Sequence, residues 1–72
     1  MCREEPILDP AALHHVSAER VLEAYWSARW SAPLGPGKEM WLGHDFHGNL
    51  LELGVSYRRQ GVVIFHAMRA RP

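Results

Sequence analysis

Histidine and arginine side chains near the C-terminus are the groups of this 72-residue chain best suited to acid–base and phosphate chemistry. Imidazole titrates near neutral pH and can act as base or acid, and guanidinium can donate two parallel hydrogen bonds to a phosphate. The last segment brings His66, Arg69 and Arg71 close together in sequence. Metal-free cleavage of a phosphodiester needs a base, an acid and cations for the transition-state charge, so these three residues are candidate catalytic groups.

The position of His66 leaves a structural alternative open. In an extended strand, alternate side chains point to opposite faces, so His66 shares a face with Met68 and lies across from Arg69. A bend after Met68 would be needed to bring His66 and Arg69 together. Without it, His66 is a core histidine satisfied by a neighbouring group.

The five histidines also allow a metal site, which we weigh against surface and turn positions. His44 and His47 form one loose pair, whereas a structural zinc site takes four ligands, often thiolates, at tight spacing. Cys2 is the only cysteine, which excludes a disulfide within the chain and fits a reducing compartment. We therefore predict no metal and no cofactor.

Charge is divided unevenly along a chain whose net charge is zero. All eight carboxylates and four of the eight basic side chains precede residue 53, so the first part carries −4 and the remainder +4. A separation of this kind favours one surface for an anion, with Arg58 and Arg59 among the candidate residues. The alternative is that these are solvated loop ends.

The first half of the chain predicts helices. Residues 1–8 are expected to form a flexible lead, and residues 9–72 a single domain. Asp9 and Pro10 are typical of a helix start, for a short helix over residues 11–15. Ser17 is a second N-cap, and apolar residues at intervals of three and four predict a helix from Ala18 to Trp30, in which Arg20 can pair with Glu23. The prolines and glycines of residues 33–37 predict a loop.

The second half changes to a two-residue period. Residues 40–42 predict a short strand, residues 51–57 a half-buried strand and residues 62–68 a well-covered one, separated by turns. The predicted fold class is α+β, with two N-terminal helices packed on a three-stranded antiparallel β-meander. The chain begins without an apolar signal segment, and its longest apolar run, Val62 to Phe65, is far too short to span a bilayer. We therefore expect a cytoplasmic protein without a membrane partner.

Aromatic side chains are the remaining candidates for binding. Tyr25, Trp26 and Trp30 recur at helical spacing, and Trp41 and Phe46 follow in the hairpin region. Such rings can stack on unpaired bases or fill a core or a partner's groove. Three tryptophans are many for so small a core, so one or two are expected to meet a partner.

Three segments resemble the BrnT-like group of bacterial toxins. Leu13-His14-His15-Val16-Ser17, followed by Glu19, resembles the stretch that opens their first long helix. Residues 50–55, after residues 41–43, resemble their central hairpin. The last segment, residues 63–72 with its His-Ala-Met-Arg-Ala-Arg element, resembles their closing strand and is the most specific of the three.

This resemblance implies a fold like that of the RelE/ParE toxins and a metal-independent ribonuclease that inhibits translation. It implies a cognate antitoxin as partner and RNA as substrate, including RNA at the ribosome, with Lys38, Arg58 and Arg59 as candidate RNA-binding residues. A homodimer is compatible with it. By position, His14, Glu19 and Arg69 match residues of the family pattern, so His14 and Glu19 join His66, Arg69 and Arg71 as candidate catalytic residues. Leu13 stands where the family has lysine, and His15 where it has glycine. The alternative is a non-catalytic protein-binding module that binds a co-encoded antitoxin or regulator.

Overall fold

The computed structural model describes residues 4–70, which form a five-stranded sheet covered on one face. The strands are β1 (Ile7–Leu8), β2 (Trp30–Gly35), β3 (Lys38–His44), β4 (Leu50–Arg58) and β5 (Gly61–Arg69). A short 3-10 helix (Pro10–Leu13) and one α-helix, α1 (Ala18–Ser27), precede β2. In the sheet the strands lie in the order β1-β5-β4-β3-β2; β1 is parallel to β5, and every other pair is antiparallel.

The predicted fold class is wrong in its strands and in its helices. The sheet is mixed and has five strands in place of a three-stranded meander, and within residues 4–70 a single α-helix packs on it. The helix predicted to reach Trp30 ends at Ser27, where the Ser27 hydroxyl donates to the His44 carbonyl and accepts from its N–H. Because these bonds tie the helix end to β3, the chain turns there and enters β2.

Strand β2 occupies the stretch that its prolines and glycines predict as a loop. It is an edge strand with one neighbour, so no second strand requires the N–H that Pro33 lacks. Strand β1 lies within the predicted lead, where Ile7 and Leu8 pair with Val63 and Ile64. Both short strands depend on the sheet that they join, which explains the lack of a strong local signal.

The core lies between the sheet and the two helical elements. Leu51, Leu53 and Val55 point from β4 to the covered face, and Val21 and Ala24 of α1 pack on them. A Cβ at Gly43 would overlap the carbonyl oxygen of Ala24, so glycine permits the close approach of α1 to β3. The fully packed residues are Ala12, Val16, Val21, Ala24, Tyr25, Leu51, Leu53, Val55, Val62, Ile64 and Ala67.

The opposite side of the sheet, called here the open face, has no helix on it in residues 4–70. Gly54 pairs with Met40 and His66, and Glu52 pairs with Leu42 and Met68, so all of these positions face away from α1. The register shifts between Gly54 and Val55 leave an extra residue in β5. Within residues 4–70 no helix is long and apolar enough to cross a membrane.

Candidate functional site

A buried carboxylate organises the turn between β3 and β4. Asp45 is 4% exposed, and its Oδ1 accepts from the backbone N–H groups of His47 and Asn49, both at 2.9 Å. Its Oδ2 accepts from the Asn49 side-chain amide at 3.0 Å. Burial by itself would raise the pKa of Asp45, but hydrogen bonds from Asn49 and His47 and the charge of Arg20 outweigh it, so the pKa is lowered.

Two arginines from distant parts of the chain lie on this turn. Arg20 Nε, in the first turn of α1, lies 3.9 Å from Asp45 Oδ2. Arg69 Nη2, at the end of β5, donates to Asn49 Oδ1 at 2.9 Å. Both arginines are exposed, so each guanidinium has donors directed to solvent. The Asp45–Asn49 turn thus holds two cations at one end of the sheet, and we call this group the arginine site.

The arginine site contains residues that sequence reasoning did not select. Arg20 was assigned to Glu23, but Glu23 Oε1 accepts the backbone N–H of Phe46 at 2.7 Å. His47, considered only as a metal ligand, is exposed within the same turn. A signal was present, because an aspartate four residues before an asparagine, around a glycine, is typical of a side-chain-stabilised turn.

His66 lies on the other face of the sheet from Arg69. His66 pairs with Gly54, while Arg69 pairs with Leu51, which is buried beneath the helices. The strand keeps its register through Met68 and Arg69, so the bend needed to join His66 and Arg69 is absent. His66 Nε2 instead lies 3.2 Å from Glu52 Oε1. The imidazole thus has a neighbouring polar partner, although the side chain is half-buried and does not lie in the core.

The candidate RNA-binding residues lie away from the arginine site. Arg58 and Arg59 flank the β4–β5 turn, at the end of β5 opposite to Arg69 and ~26 Å away along an extended strand of this length. Arg58 Nε donates to Ser56 Oγ at 3.3 Å. Lys38 pairs with Ser56 and lies over the Phe65 ring at 5.6 Å on the open face.

The remaining candidate catalytic residues lie on separate elements. His14 follows the 3-10 helix and is exposed. Because β1 is parallel to β5, the chain leaves β1 toward the end of β5 that carries Arg69, and the 3-10 helix packs on β5 along this path. Glu19 lies on α1, in a groove with Trp26 and Phe46. Arg71 lies outside the described residues. His66 therefore lies on the opposite face of the sheet from Arg69. The chain that leads to His14 runs toward the end of β5 that carries Arg69.

No group of three or more potential ligands within residues 4–70 is arranged to hold a metal ion. Comparison with protein-family models, with curated proteins and with solved structures gives no match to this chain.

Proposed function

We propose that this chain is the toxin component of a toxin–antitoxin pair and a metal-independent ribonuclease of the BrnT-like class. The observation that supports the proposal most is the arginine site, in which Arg20 and Arg69 share one rigid turn. Two exposed guanidiniums are suited to a phosphodiester, since each offers paired donors to phosphate oxygens. Arg69 is also the residue of the closing strand that matches the family pattern.

The chemistry of the proposal needs one base and one acid beside the arginines. As the RNA 2′-oxygen attacks phosphorus, a neutral imidazole takes its proton, and the bond to the 5′-oxygen breaks. A protonated imidazole gives a proton to that oxygen, which leaves a cyclic phosphate and a 5′-hydroxyl. His47, within the turn, and His14, beyond the 3-10 helix, are the proposed pair. The guanidiniums stabilise the negative charge that develops on phosphorus.

Replacement of Arg69 tests whether the arginine site carries the activity, and replacement of His66, on the opposite face of the sheet, is the matched control. We expect Arg69→Ala to abolish growth arrest when the chain is expressed in a bacterial host, and to lower RNA cleavage by the purified chain at least about a hundredfold, because one cation beside the transition state is lost. Arg20→Ala and His47→Ala should act in the same direction. His66→Ala should leave both readouts near those of the unchanged chain.

Folding must be checked in each variant by circular dichroism, since Arg69 also bonds to Asn49. Equal activity of Arg69→Ala and the unchanged chain would contradict the arginine site. Loss of activity in His66→Ala alone would place the chemistry on the open face instead.

A second candidate function is a binding module without catalysis, and the open face supports it. Half-buried apolar residues Met40, Leu42 and Met68 surround the Glu52–His66 pair on this face. Apolar surface of this kind, beside a few polar groups, is typical of a protein interface. In this account the chain binds the protein encoded beside it and leaves RNA intact.

The open-face account is tested by co-expression with the protein encoded beside this chain. Trp30, which is 52% exposed, pairs with Leu42 on this face, so Trp30→Glu introduces a charge without disturbing the core. We expect this variant to bind the partner at least about tenfold more weakly in a calorimetric titration, because aromatic anchors dominate interfaces. Ser31→Glu, at the next and likewise exposed position of β2, is the control, because Ser31 pairs with Trp41 and so faces the other side of the sheet. Equal weakening by both variants would argue against a face-specific contact.

A further inference from the structure

A groove on the outer side of α1 borders the turn of the arginine site through Phe46, but it contains neither arginine of that site and is separate from the open face. It has a volume of about 460 Å³ and lies between α1 and the 44–49 turn. Its walls are apolar in the middle and acidic at one side, and they are formed by Glu19, Leu22, Glu23, Trp26, Ser27 and Phe46. Its volume is within the range of natural ligand sites.

Two exposed aromatic rings face this groove. Phe46 is 84% exposed, the largest exposure among the large apolar side chains described, and Trp26 is 48% exposed. The backbone beneath Phe46 is held firmly, because its N–H donates to Glu23 and the adjacent Asp45 is fixed by three hydrogen bonds. A firmly held turn thus presents an apolar ring to water, which suggests a binding anchor in place of a loose loop tip.

The charge at the groove selects the chemistry of its ligand. Glu19 and Glu23 are one helical turn apart, so their carboxylates lie on the same side of α1. The nearest helical cation, Arg20, is directed to Asp45. Two carboxylates beside aromatic rings attract a guanidinium or ammonium group, through ionic attraction and through the ring faces. They repel phosphate, so nucleic acid and anionic lipid do not suit this groove.

We infer that this groove binds a peptide segment of a protein partner that carries arginine or lysine next to an apolar side chain. The apolar side chain lies between Trp26 and Phe46, and the cation lies against Glu19 and Glu23. An amphipathic helix offers this pattern, with apolar anchors one turn apart and a basic flank. The inference does not depend on the proposed ribonuclease activity, because it uses none of the arginine site's cations.

The test uses the full chain, labelled with nitrogen-15, and two synthetic peptides. One is a short amphipathic helix with leucine on one face and arginine on its flanks, and the other has glutamate in place of every arginine. We expect the arginine peptide to shift the Trp26 indole resonance and the Phe46 amide resonance in a saturable manner, and to bind at least about tenfold more weakly to Phe46→Ala. Raised salt should weaken the binding of the arginine peptide to the unchanged chain.

Matched variants distinguish binding in the groove from non-specific hydrophobic binding. Glu19→Lys should weaken binding of the arginine peptide and strengthen binding of the glutamate peptide. Trp30→Ala, at an exposed tryptophan outside the groove, should change the binding of neither peptide. The inference is overturned if the arginine peptide produces no shift at Trp26 at millimolar concentration, or if both peptides bind equally. Shifts at Trp26 produced by anionic vesicles or by a short RNA, and not by the peptide, would also overturn it.

Discussion

Gly43→Ala should leave most molecules unfolded. The added methyl group would overlap the Ala24 carbonyl oxygen, and this oxygen belongs to the backbone of α1, so no side-chain rotation relieves the overlap. The helix must move away from β3, which opens the core beneath it. Overpacking costs typically about 1–3 kcal/mol and more where backbone must shift, while a chain of this size has only about 3–5 kcal/mol of net stability.

Urea unfolding followed by circular dichroism measures this effect, and Gly54→Ala provides the comparison. A Cβ at Gly54 would lie 2.8 Å from the ring of Phe65, which is a side chain on the open face with solvent beside it. That ring can rotate away, so we expect Gly54→Ala to fold, with a loss of ~1 kcal/mol. A Gly43→Ala variant with the midpoint of the unchanged chain would show that α1 does not contact β3 as described.

The sequence could predict the elements that depend on local signals. Ser17 accepts from the Arg20 N–H as an N-cap, and Asp9 accepts from the Ala11 N–H with Pro10 following it. The strands predicted over residues 51–57 and 62–68 differ by one residue at each end from β4 and β5. A helix cap or an alternating apolar pattern depends on a few neighbouring residues, so it can be recognised in the sequence alone.

The sheet's outer strands depend on pairing between distant segments. Edge strand β2 carries Pro33 and Gly35, which are typical of loops, and it forms because β3 offers a neighbouring ladder. Strand β1 has only two residues and pairs with Val63 and Ile64 of β5, which are distant from it in sequence. Such contacts leave no periodic pattern, so composition alone favours fewer strands than the fold contains.

In the candidate site, too, the features set by local pattern were predictable, and those set by distant contacts were not. Alternation along β5 predicted that His66 and Arg69 face opposite sides, and the register agrees. The partner of Arg20 was not predictable, because Asp45 lies 25 positions away in the chain and reaches α1 only when β3 has paired. A local rule favoured Glu23, three residues from Arg20, but the backbone of Phe46 takes that carboxylate.

Replacement of Asp45 should destabilise the fold more than replacement of any exposed carboxylate, and the effect should depend on pH. Asp45→Ala removes the acceptor for two backbone N–H groups and for the Asn49 amide, and these part-buried donors lose that partner. Arg20 also loses its partner, and Asn49, which accepts from Arg69, loses its anchor. Stability and phosphate binding should therefore fall together.

The Asp45→Asn variant removes the charge and the Oδ2 acceptor for the Asn49 amide, but it keeps an oxygen that accepts the two backbone N–H groups. Because the pKa of Asp45 is lower in the folded chain than its ordinary value of 3.8, the ionised carboxylate stabilises the fold above that pH. This contribution is lost as the pH falls through the folded pKa, where the unchanged chain also carries a neutral group. Melting curves of the two chains should thus differ most above pH 3.8 and converge in stronger acid.

Asp45→Ala, in contrast, should stay less stable than the unchanged chain at every pH, because alanine accepts no hydrogen bond at any pH. A constant difference between Asp45→Asn and the unchanged chain from neutral pH into strong acid would mean that the carboxylate's charge does not stabilise the turn. In that case the ion pair would not hold Arg20 at the turn, and only Arg69 would be held there, through its hydrogen bond to Asn49. Phosphate binding at Arg69 would then not fall as the pH is lowered through the pKa of Asp45.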